Sequence, residues 1–495
     1  MDHLVVLMLE NRSFDHMLGF LPHPSERFDG LLRGGPHTNP GWGGGPAVAA
    51  TPTAKTVLPL DGDHSHDAAM EQIANGNQGF VSAYERKGRG LAEPRFGGLL
   101  GPLIEWVVRT FRIGRGATVT GRGPLAMACQ PPSNIPVLAT LALEFAVCNR
   151  WFCSVPGETW PNRNYAHAAS SDGETGIHPR FYTNPTIFEL LERAGRDWRI
   201  YHDDVPQIWA FSNLWIPEER RRNWYGMEDF ARHVAGGSLP AYTFIEPNHR
   251  PLPIAFSATE SNSQHPGNSL VTDSEYDGYE PQDNDFTRGE ALIARVYESL
   301  RANPELFSRT TLLITYDEHG GLYDHVPPAT GMADPGTDTN WLGRLIKFLG
   351  YKKSAFFDFS ITGPRVPAII VSPLVPKGTV VDTMFEHASV PATLRAVFAP
   401  RERPLTARDA QANTFEKVLS LDAPRDDLPD LSAYTGPPAG PLQVTAATPD
   451  HVEDLEELSR KVLAELGGPV PALTAAPQRN AGDMALEAFR RSIVR

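Results

Sequence analysis

Short apolar runs that end in polar residues recur along the chain. The first covers Leu4–Leu9 and is followed directly by Glu10 and Asn11. Nearly continuous apolar runs rich in β-branched residues are typical of strands that are buried on both faces of a parallel sheet. The runs of this form are LVVLML before Glu10, WRIY before His202, YTFI before Glu246, TTLLIT before Tyr316 and AIIV before Ser372.

Helical patterns lie between these runs, for example in Thr186–Gly195 and Glu290–Asn303. Strands that alternate with helices predict an α/β fold, a three-layer sandwich with a central, mostly parallel sheet and loop insertions. In open α/β sheets, ligands bind beyond the carboxyl ends of the strands. The polar residues that follow the apolar runs therefore predict a functional site at that edge of the sheet.

The character of the chain changes near Arg401, where it becomes charged, proline-rich and sparsely apolar. We therefore predict a main, catalytic domain over residues 1–400 and a C-terminal arm over residues 401–495 that packs on it or on a neighbouring subunit. Within the arm, Pro449–Leu466 has the spacing of an amphipathic helix. Its periodic apolar positions are Val452, Leu455, Leu458, Val462 and Leu466.

The composition is that of a globular protein, with 41% hydrophobic and 21% charged residues. With 45 Lys and Arg against 59 Asp and Glu, the net charge is −14, which argues against a broad nucleic-acid interface. Cys129, Cys148 and Cys153 lack the spacing of a metal site and are predicted to be buried thiols. No run approaches the length of a membrane-spanning helix, and no basic leader is present. We expect a cytoplasmic protein, or a secreted one if a leader has been removed.

The segment CSVPGETWPNR contains a candidate nucleophile, Thr159. Because Pro161 suits the first turn of a helix, Thr159 lies at or next to an N-cap, and an ordinary capping threonine would show the same pattern. The same position also directs a hydroxyl and free backbone N–H groups toward one point, which suits a phosphate. Asn162 and Arg163 add donors for anionic oxygens.

A hydroxyl is a weak nucleophile unless a base or a bound metal ion activates it. Thr159 could share a metal ion with Glu10, Asn11, Asp317 and Glu318. Such an all-oxygen ligand set favours hard cations such as Mg, Ca or Mn.

Four motifs resemble the phosphoesterase family of bacterial non-haemolytic phospholipases C and AcpA-type acid phosphatases, within the alkaline phosphatase-like superfamily. They occur in the family's order and span roughly the first four-fifths of the chain, which makes the resemblance specific. The motifs are LMLENRSFDHMLG, CSVPGETWPNR, TYDEHGGLYDHVPP and EHASVPATLRAVF.

The resemblance implies an alkaline phosphatase-like fold, a nucleophilic hydroxyl at Thr159 and one divalent metal ion. Ca, Mg or Mn is expected, with Zn as a further option. Asn162 would help Asn11 and the metal to stabilise the phosphoryl oxygens. The metal ligands that it implies are Glu10, Asn11, Thr159, Asp317 and Glu318.

The resemblance also implies histidines around the phosphoryl group, for which we nominate His64, His202 and His265. His66 competes with His64, and we prefer His64 because Asp61 lies three residues before it. An ordinary loop histidine would explain His202 equally well. His265 follows a loop rich in Ser and Asn, and we expect it to be exposed.

Further residues of these motifs are expected to support the ligands rather than to bind the metal. The pair Gly320 and Gly321 predicts a tight turn that folds the LYDH segment over the site. The supporting residues on this interpretation are His66, Arg163, His319, Asp324 and His325.

Two positions depart from the family pattern. Glu158 precedes Thr159 where proline is usual, and its carboxylate either alters the leaving-group preference or faces solvent. Glu386–Val390 reads EHASV where Asp-His-Thr-Ser is more usual, and Ser389 keeps the helix cap available.

The sequence thus predicts a metal-dependent phospholipase C-type phosphodiesterase that acts through a phosphothreonine intermediate. An acid phosphatase for monoesters is the alternative, and an inactive binding protein on the same scaffold is a remote one. The expected partner is a phosphate ester, including phospholipid, and not nucleic acid; the oligomeric state is left open. Residues 97–116 and 340–357 are apolar and locally basic, which suggests peripheral membrane contact, although core packing is the commoner explanation.

Overall fold

The computed structural model describes residues 1–89, 120–251, 260–269, 282–336, 357–436, 449–471 and 481–493. The two segments predicted to contact a membrane lie outside the described residues, apart from Phe357. The strands are β1 (His3–Leu9), β2 (Thr38–Asn39), β3 (Val48–Ala49), β4 (Ala146–Cys148), β5 (Trp151–Phe152), β6 (Trp198–Tyr201), β7 (Trp224–Tyr225), β8 (Tyr242–Ile245), β9 (Thr310–Tyr316), β10 (Ala368–Val371), β11 (Thr379–Val381) and β12 (Phe385–Glu386).

Eight of these strands form one sheet in the order β11-β4-β10-β9-β1-β8-β6-β7. The five strands β9, β1, β8, β6 and β7 are parallel to one another, which confirms the predicted, mostly parallel sheet. Strand β10 is antiparallel to both β9 and β4. Ser372, which follows β10, therefore lies at the opposite edge from Glu10, and grouping it with the other strand ends was wrong.

The register of the central strands brings their polar ends together. Leu9 of β1 pairs with Tyr316 of β9, so Glu10 and Asp317 leave the sheet side by side. The backbone N–H of Asp317 donates to the Leu9 carbonyl at 3.1 Å, which extends the ladder by one residue. Because β8 pairs in parallel with β1, Glu246 reaches the same edge.

Helices cover both faces of this sheet, since every residue of β9 is buried. Helices α4 and α8 pack against α9, and α5 and α6 pack against α11, in agreement with the predicted three-layer sandwich. The helices are α1 (Phe14–Leu18), α2 (His66–Asn77), α3 (Phe80–Gly88), α4 (Pro136–Glu144), α5 (Thr159–Ala168), α6 (Ile187–Arg193), α7 (Glu218–Arg221), α8 (Met227–Ala235), α9 (Asp285–Arg301), α10 (Pro304–Phe307), α11 (Ser389–Phe398), α12 (Ala407–Gln411), α13 (Asp450–Glu465) and α14 (Ala481–Ser492).

Local sequence signals fix the ends of the long helices. Thr186 and Glu189 form a reciprocal capping box at the start of α6, and Asn284 and Thr287 form one at the start of α9. Such a cap satisfies backbone N–H groups that the first helical turn leaves without partners. These signals lie within the two segments whose periodicity predicted helices.

The C-terminal arm joins the main core. Its helices α13 and α14 pack on each other, and Leu455, Leu458 and Val462 belong to the same buried cluster as the central strands. The helix predicted over Pro449–Leu466 is confirmed as α13. The division of the chain near residue 400 stays a prediction.

The three cysteines are free and buried, as predicted. Removal from water raises the pKa of each thiol, which keeps Cys129, Cys148 and Cys153 protonated and poorly reactive. Among the described residues, no helix combines the length and apolarity that crossing a bilayer requires.

One buried histidine gives the fold a testable pH dependence. His167 of α5 lies among Phe188, Phe211 and Phe244, and neither ring nitrogen has a hydrogen-bond partner among the described residues. Burial lowers the pKa of His167 from 6.5 to about 3. Between these two pKa values, His167 is protonated in the unfolded chain but not in the folded one. The free energy of unfolding therefore falls as the pH drops through this range.

We expect His167→Phe to reduce this loss of stability. At about pH 4.5 the titration of His167 alone removes about 2–3 kcal/mol from the free energy of unfolding relative to pH 8. Urea unfolding of both proteins between pH 8 and 4.5 measures the difference. Curves of unfolding free energy against pH that run parallel would contradict a neutral, buried His167.

Candidate active site

Asn11 is the residue at which the predicted site converges. It follows β1 with a φ of 57°, a left-handed conformation that Asn tolerates better than most residues. Its backbone N–H donates to Asp317 Oδ1 at 3.0 Å, and its Oδ1 accepts from Thr159 Oγ1 at 3.2 Å. Its Nδ2 lies 2.9 Å from His265 Nε2 and 3.4 Å from His64 Nδ1.

Glycines allow the surrounding loops to approach Asn11. Gly320 and Gly321 both have positive φ values, 65° and 68°, which is the tight turn that the sequence predicts. A Cβ on Gly320 would lie 2.2 Å from the Asn11 carbonyl oxygen, and one on Gly62 would lie 2.3 Å from the Gly320 carbonyl oxygen. Backbone contact at these points is what brings the loop that carries His64 to the site.

Thr159 is the first residue of α5, with Glu158 as the N-cap residue. Its hydroxyl donates to Asn11 rather than capping the helix, so the simple capping explanation does not hold. The Glu158 carboxylate accepts a hydrogen bond from the Ile177 N–H. Glu158 is therefore bound to the neighbouring loop and does not point freely into solvent.

Asn162 holds the loop that precedes the nucleophile. Its Oδ1 accepts from the Val155 N–H at 3.0 Å, and its Nδ2 donates to the carbonyls of Val155, Gly157 and Glu158 at 3.1, 3.2 and 3.1 Å. These bonds occupy both donors of the amide. The prediction that Asn162 binds the phosphoryl oxygens is therefore wrong, because its donors are committed to backbone.

Arg163 lies behind the site and is fully buried. Its Nε lies 3.0 Å from Asp317 Oδ2, its Nη1 3.1 Å from Glu246 Oε1 and its Nη2 3.6 Å from Glu10 Oε1. Nη2 also donates to the Met8 carbonyl at 3.0 Å. Arg163 thus balances the charge of the carboxylates from behind and supplies no donor to an anionic ligand.

The three acidic candidates differ in their electrostatic surroundings. Burial raises the pKa of Asp317 to about 7 against the lowering effect of Arg163. Burial also disfavours ionised Glu318, but His64 and His319 outweigh it and lower the pKa of Glu318 to about 2. For Glu10, the nearby His249 and Arg163 overcome burial and hold the pKa well below its ordinary value.

Two of the nominated histidines lie in the cluster. His64 Nδ1 is 2.9 Å from Glu318 Oε1 and its Nε2 is 3.7 Å from Asp61 Oδ2, and these carboxylates raise its pKa in spite of burial. His265 is only 2% exposed, so the expectation of an exposed residue was wrong. The preceding loop folds inward because Ser263 and Gln264 bond to buried groups.

Two further histidines contact the neighbours of these residues. His66 Nδ1 donates to the Pro156 carbonyl at 2.6 Å, in the loop before Thr159. His319 Nε2 donates to Gln72 Oε1 at 2.6 Å, and its Nδ1 lies 3.2 Å from Glu318 Oε2. His66 therefore contacts the nucleophile loop, whereas His64 lies next to Asn11 and Glu318.

Asp324 and His325 belong to a separate buried network. Asp324 Oδ1 lies 2.9 Å from Arg365 Nε, and His325 Nδ1 lies 2.6 Å from Asp15 Oδ2. Arg365 Nη2 also reaches Asp15 Oδ1 at 3.0 Å. None of these contacts involves a predicted metal ligand, so Asp324 and His325 anchor α1 rather than support the ligands directly, which corrects the prediction.

His202 lies in a different environment. Its Nδ1 donates to the Asp204 carbonyl at 2.8 Å, and its ring packs edge-on against Trp209, Trp224 and Phe489. None of these contacts belongs to the cluster around Asn11. The nomination of His202 for the phosphoryl group was therefore wrong, because its ring packs among aromatic side chains.

Two histidines in the site were not among the candidates. His249 bridges two carboxylates, with Nδ1 2.9 Å from Glu10 Oε1 and Nε2 2.9 Å from Glu246 Oε1, and these contacts raise its pKa to about 10 in spite of burial. Its position just after β8 was a usable signal. His451 of the C-terminal arm stacks on His265, and no pattern in the sequence connects it with the motifs.

The cluster offers ligands that suit a divalent cation. Glu10 Oε2 is buried and has no hydrogen-bond partner among the described residues. An unpartnered buried carboxylate oxygen is costly, and a cation would offset that cost. A second group of potential ligands contains nitrogen: ligand atoms of Asp61, His64 and His265 all fall within 4.8 Å of one another. The residues present therefore fit a bound metal ion.

The protein belongs to the phosphoesterase family, whose sequence model matches residues 1–399. It is therefore a phosphoric ester hydrolase. Enzymes of this kind generally use divalent metal ions, in agreement with the ligands around Asn11.

Characterised relatives cover most of the chain. Non-specific phospholipase C3 of Arabidopsis thaliana is 33% identical over 86% of this chain and 75% of its own length. Non-specific phospholipase C6 of the same plant is 33% identical over 99% of this chain and 82% of its own length. Phospholipase C B of Mycobacterium tuberculosis is 27% identical over 86% and 78%, respectively.

Similarity to solved structures is weak. A protein in the alkaline phosphatase superfamily from Vibrio parahaemolyticus aligns over 72% of this chain and 82% of its own, with 10% identity and a TM-score of 0.32. A score at this level carries no argument about the site. The α/β class is shown by the sheet and its helical layers.

Gly320→Ala tests the close approach at Asn11. A side chain there must both adopt a positive φ and displace the Asn11 carbonyl, so we expect a loss of stability and of activity. Gly331 is the matched control, since its φ is 75° and an added Cβ would meet no described atom within 4 Å. We expect Gly331→Ala to cost about 1 kcal/mol in unfolding free energy and Gly320→Ala about 2 kcal/mol more. Equal costs in denaturant unfolding would contradict the contact.

Proposed function

We propose that the protein is a metal-dependent phospholipase C-type phosphodiesterase that uses Thr159 as its nucleophile. The observation that carries this proposal is the hydrogen bond from Thr159 Oγ1 to Asn11 Oδ1 at 3.2 Å, in a buried cluster of carboxylates and histidines. A purely structural threonine in the first turn would be expected to cap the helix. Thr159 instead directs its hydroxyl to the residue on which the candidate ligands converge.

The residues that would hold the cation are Glu10, Asn11, Thr159, Asp317 and Glu318. When bound, a divalent ion lowers the pKa of the Thr159 hydroxyl and offsets negative charge on the phosphoryl oxygens. This oxygen-rich set favours Ca, Mg or Mn, whereas participation of His64 or His265 would favour Zn.

The covalent chemistry takes place in two steps. The Thr159 hydroxyl first loses its proton to solvent, and its ionised oxygen forms a bond to phosphorus while the bond from phosphorus to the alcohol oxygen breaks. The alcohol leaves with a proton from a histidine. Water then attacks the phosphothreonine, gives one proton back to that histidine and releases the Thr159 oxygen. The N-terminus of α5, where Thr159 begins the helix, favours the developing negative charge.

His265 is the better candidate for the proton donor. The Gly267 N–H donates to His265 Nδ1 at 3.0 Å, which leaves Nε2 as the nitrogen available for proton transfer. That nitrogen faces the cluster around Asn11. His64, which lies between Asp61 and Glu318, is the better candidate for a positively charged group beside the phosphoryl oxygens because its pKa is raised.

A phosphodiester with a lipid alcohol as leaving group is the proposed substrate class. The support comes from relatives that are named phospholipases C and match most of this chain. A phosphomonoester substrate would use the same nucleophile and the same metal ligands. The identity of the substrate is therefore an outcome of the experiment below.

We expect the purified protein to hydrolyse p-nitrophenylphosphorylcholine faster than p-nitrophenyl phosphate and to lose both activities with a chelator. Thr159→Ala should lower turnover by about a thousandfold or more, because it removes the nucleophile, while Thr159→Ser should retain much of it. Thr140→Ala serves as control, since the Thr140 hydroxyl donates to the Pro136 carbonyl within α4, away from the site. Steady-state release of nitrophenol measures each rate.

Preference for the monoester would assign the protein to the acid phosphatase branch with the same site. Full activity of Thr159→Ala would contradict the proposed nucleophile. Activity that persists after complete removal of metal would contradict the role of the cation.

A further inference from the structure

His451 enters the active-site cluster from the C-terminal arm. Its ring lies against that of His265, with centroids 3.8 Å apart and planes inclined by 28°. Both side chains are buried, at 5% and 2% exposure. His451 lies in the first turn of α13, more than a hundred residues beyond Asp317 in the sequence, so the arm contributes directly to the surroundings of the catalytic histidine.

Among the described residues, the other contacts of the His265 side chain lie at the edge of its ring. Gly267 N–H holds Nδ1, Asn11 Nδ2 lies at Nε2, and the ring of His64 approaches edge-on at 6.1 Å. These contacts restrain the position of the ring's edge, whereas a stacked ring restrains the orientation of its plane. The face contact comes from His451, which also keeps water from that side of the ring.

The position of His451 is restrained by its own contact with the loop after β8. Its Nε2 lies 3.5 Å from the carbonyl oxygen of His249, the residue that bridges Glu10 and Glu246. The arm therefore rests on the same loop that supports a predicted metal ligand. A shift of the arm would move His451 relative to both His249 and His265.

An ionic cluster at the next residue docks the arm. Arg250 is fully buried and lies 2.7 Å from Asp204 Oδ1, 3.2 Å from Glu456 Oε1 of α13 and 3.1 Å from Asp483 Oδ1 of α14. A Cβ on Gly482 would lie 2.3 Å from Arg250 Nη1, so glycine permits this approach. The arm is thus fixed at a point one residue from His249.

We propose that His451 is a positioning residue that holds the plane of His265 so that Nε2 stays directed at the leaving-group oxygen. This inference rests on the proposed function of His265 as proton donor. It assigns to the C-terminal arm a part in catalysis, because the active site is incomplete without the ring that the arm supplies.

The role is one of orientation and not of proton transfer. His451 faces the ring of His265 rather than its nitrogen atoms, and its Nε2 is directed to the His249 carbonyl. An aromatic ring without ionisable nitrogens can supply the same stacking surface. Phenylalanine at position 451 should therefore conserve the function, whereas alanine should not.

We expect His451→Ala to lower kcat about tenfold or more for a phosphorylcholine ester of an alkyl alcohol, since small errors in the placement of a catalytic group are costly. An ester of p-nitrophenol, whose leaving group needs little protonation, should be hydrolysed at nearly the wild-type kcat, and KM should be unchanged. His451→Phe should restore turnover of the alkyl ester. Leu486→Ala, which removes a buried contact of the other arm helix α14, controls for loss of arm stability and should leave the ratio of the two kcat values unchanged.

Equal kcat losses of His451→Ala on both esters would overturn the proposal, as would a His451→Phe variant as impaired as His451→Ala.

The two proposals fail in distinguishable ways. If His265→Ala loses no more activity on the alkyl ester than on the nitrophenyl ester, His265 is not the proton donor, and the proposed function must be revised at that residue. If His265→Ala shows the selective loss and His451→Ala does not, only the role of the arm is wrong.

Discussion

The balance of buried charge behind β1 is the constraint on which the site depends. Arg163 lies 3.0 Å from Asp317, 3.1 Å from Glu246 and 3.6 Å from Glu10, and all four side chains are buried. Breaking a buried pair of this kind typically costs about 3–5 kcal/mol. Arg163 also lies one helical turn after Thr159, so the pairing that offsets the charge of these acidic groups also fixes the helix that carries the nucleophile.

Around this charge cluster, the parallel sheet and two loops assemble residues that are distant in sequence. The pairing of β1 with β9 sets Asp317 beside Glu10, and the glycine contact between Gly62 and Gly320 brings the His64 loop against the turn after β9. The C-terminal arm then covers His265. The site is therefore a product of the complete fold, including an arm that the family's sequence model does not cover.

The sequence predicted the fold well because its strands are strongly patterned. It also predicted the residues that directly follow parallel strands, since chain direction alone brings them to one edge of the sheet. It failed where side-chain direction decides the role: Asn162 turns to the backbone and His202 turns into aromatic packing. It missed His451 because a stacking contact across so long a separation leaves no local pattern, whereas His249 followed β8 and its pattern could have been used.

The central claim is that hydrolysis proceeds through covalent attachment of the phosphoryl group to Thr159. The stereochemical course at phosphorus, measured with a chiral thio-substituted diester and transfer to an alcohol acceptor, tests it most directly. Each in-line displacement inverts the configuration, so two successive displacements through phosphothreonine predict overall retention. Overall inversion would mean a single direct displacement by the acceptor and would contradict the account.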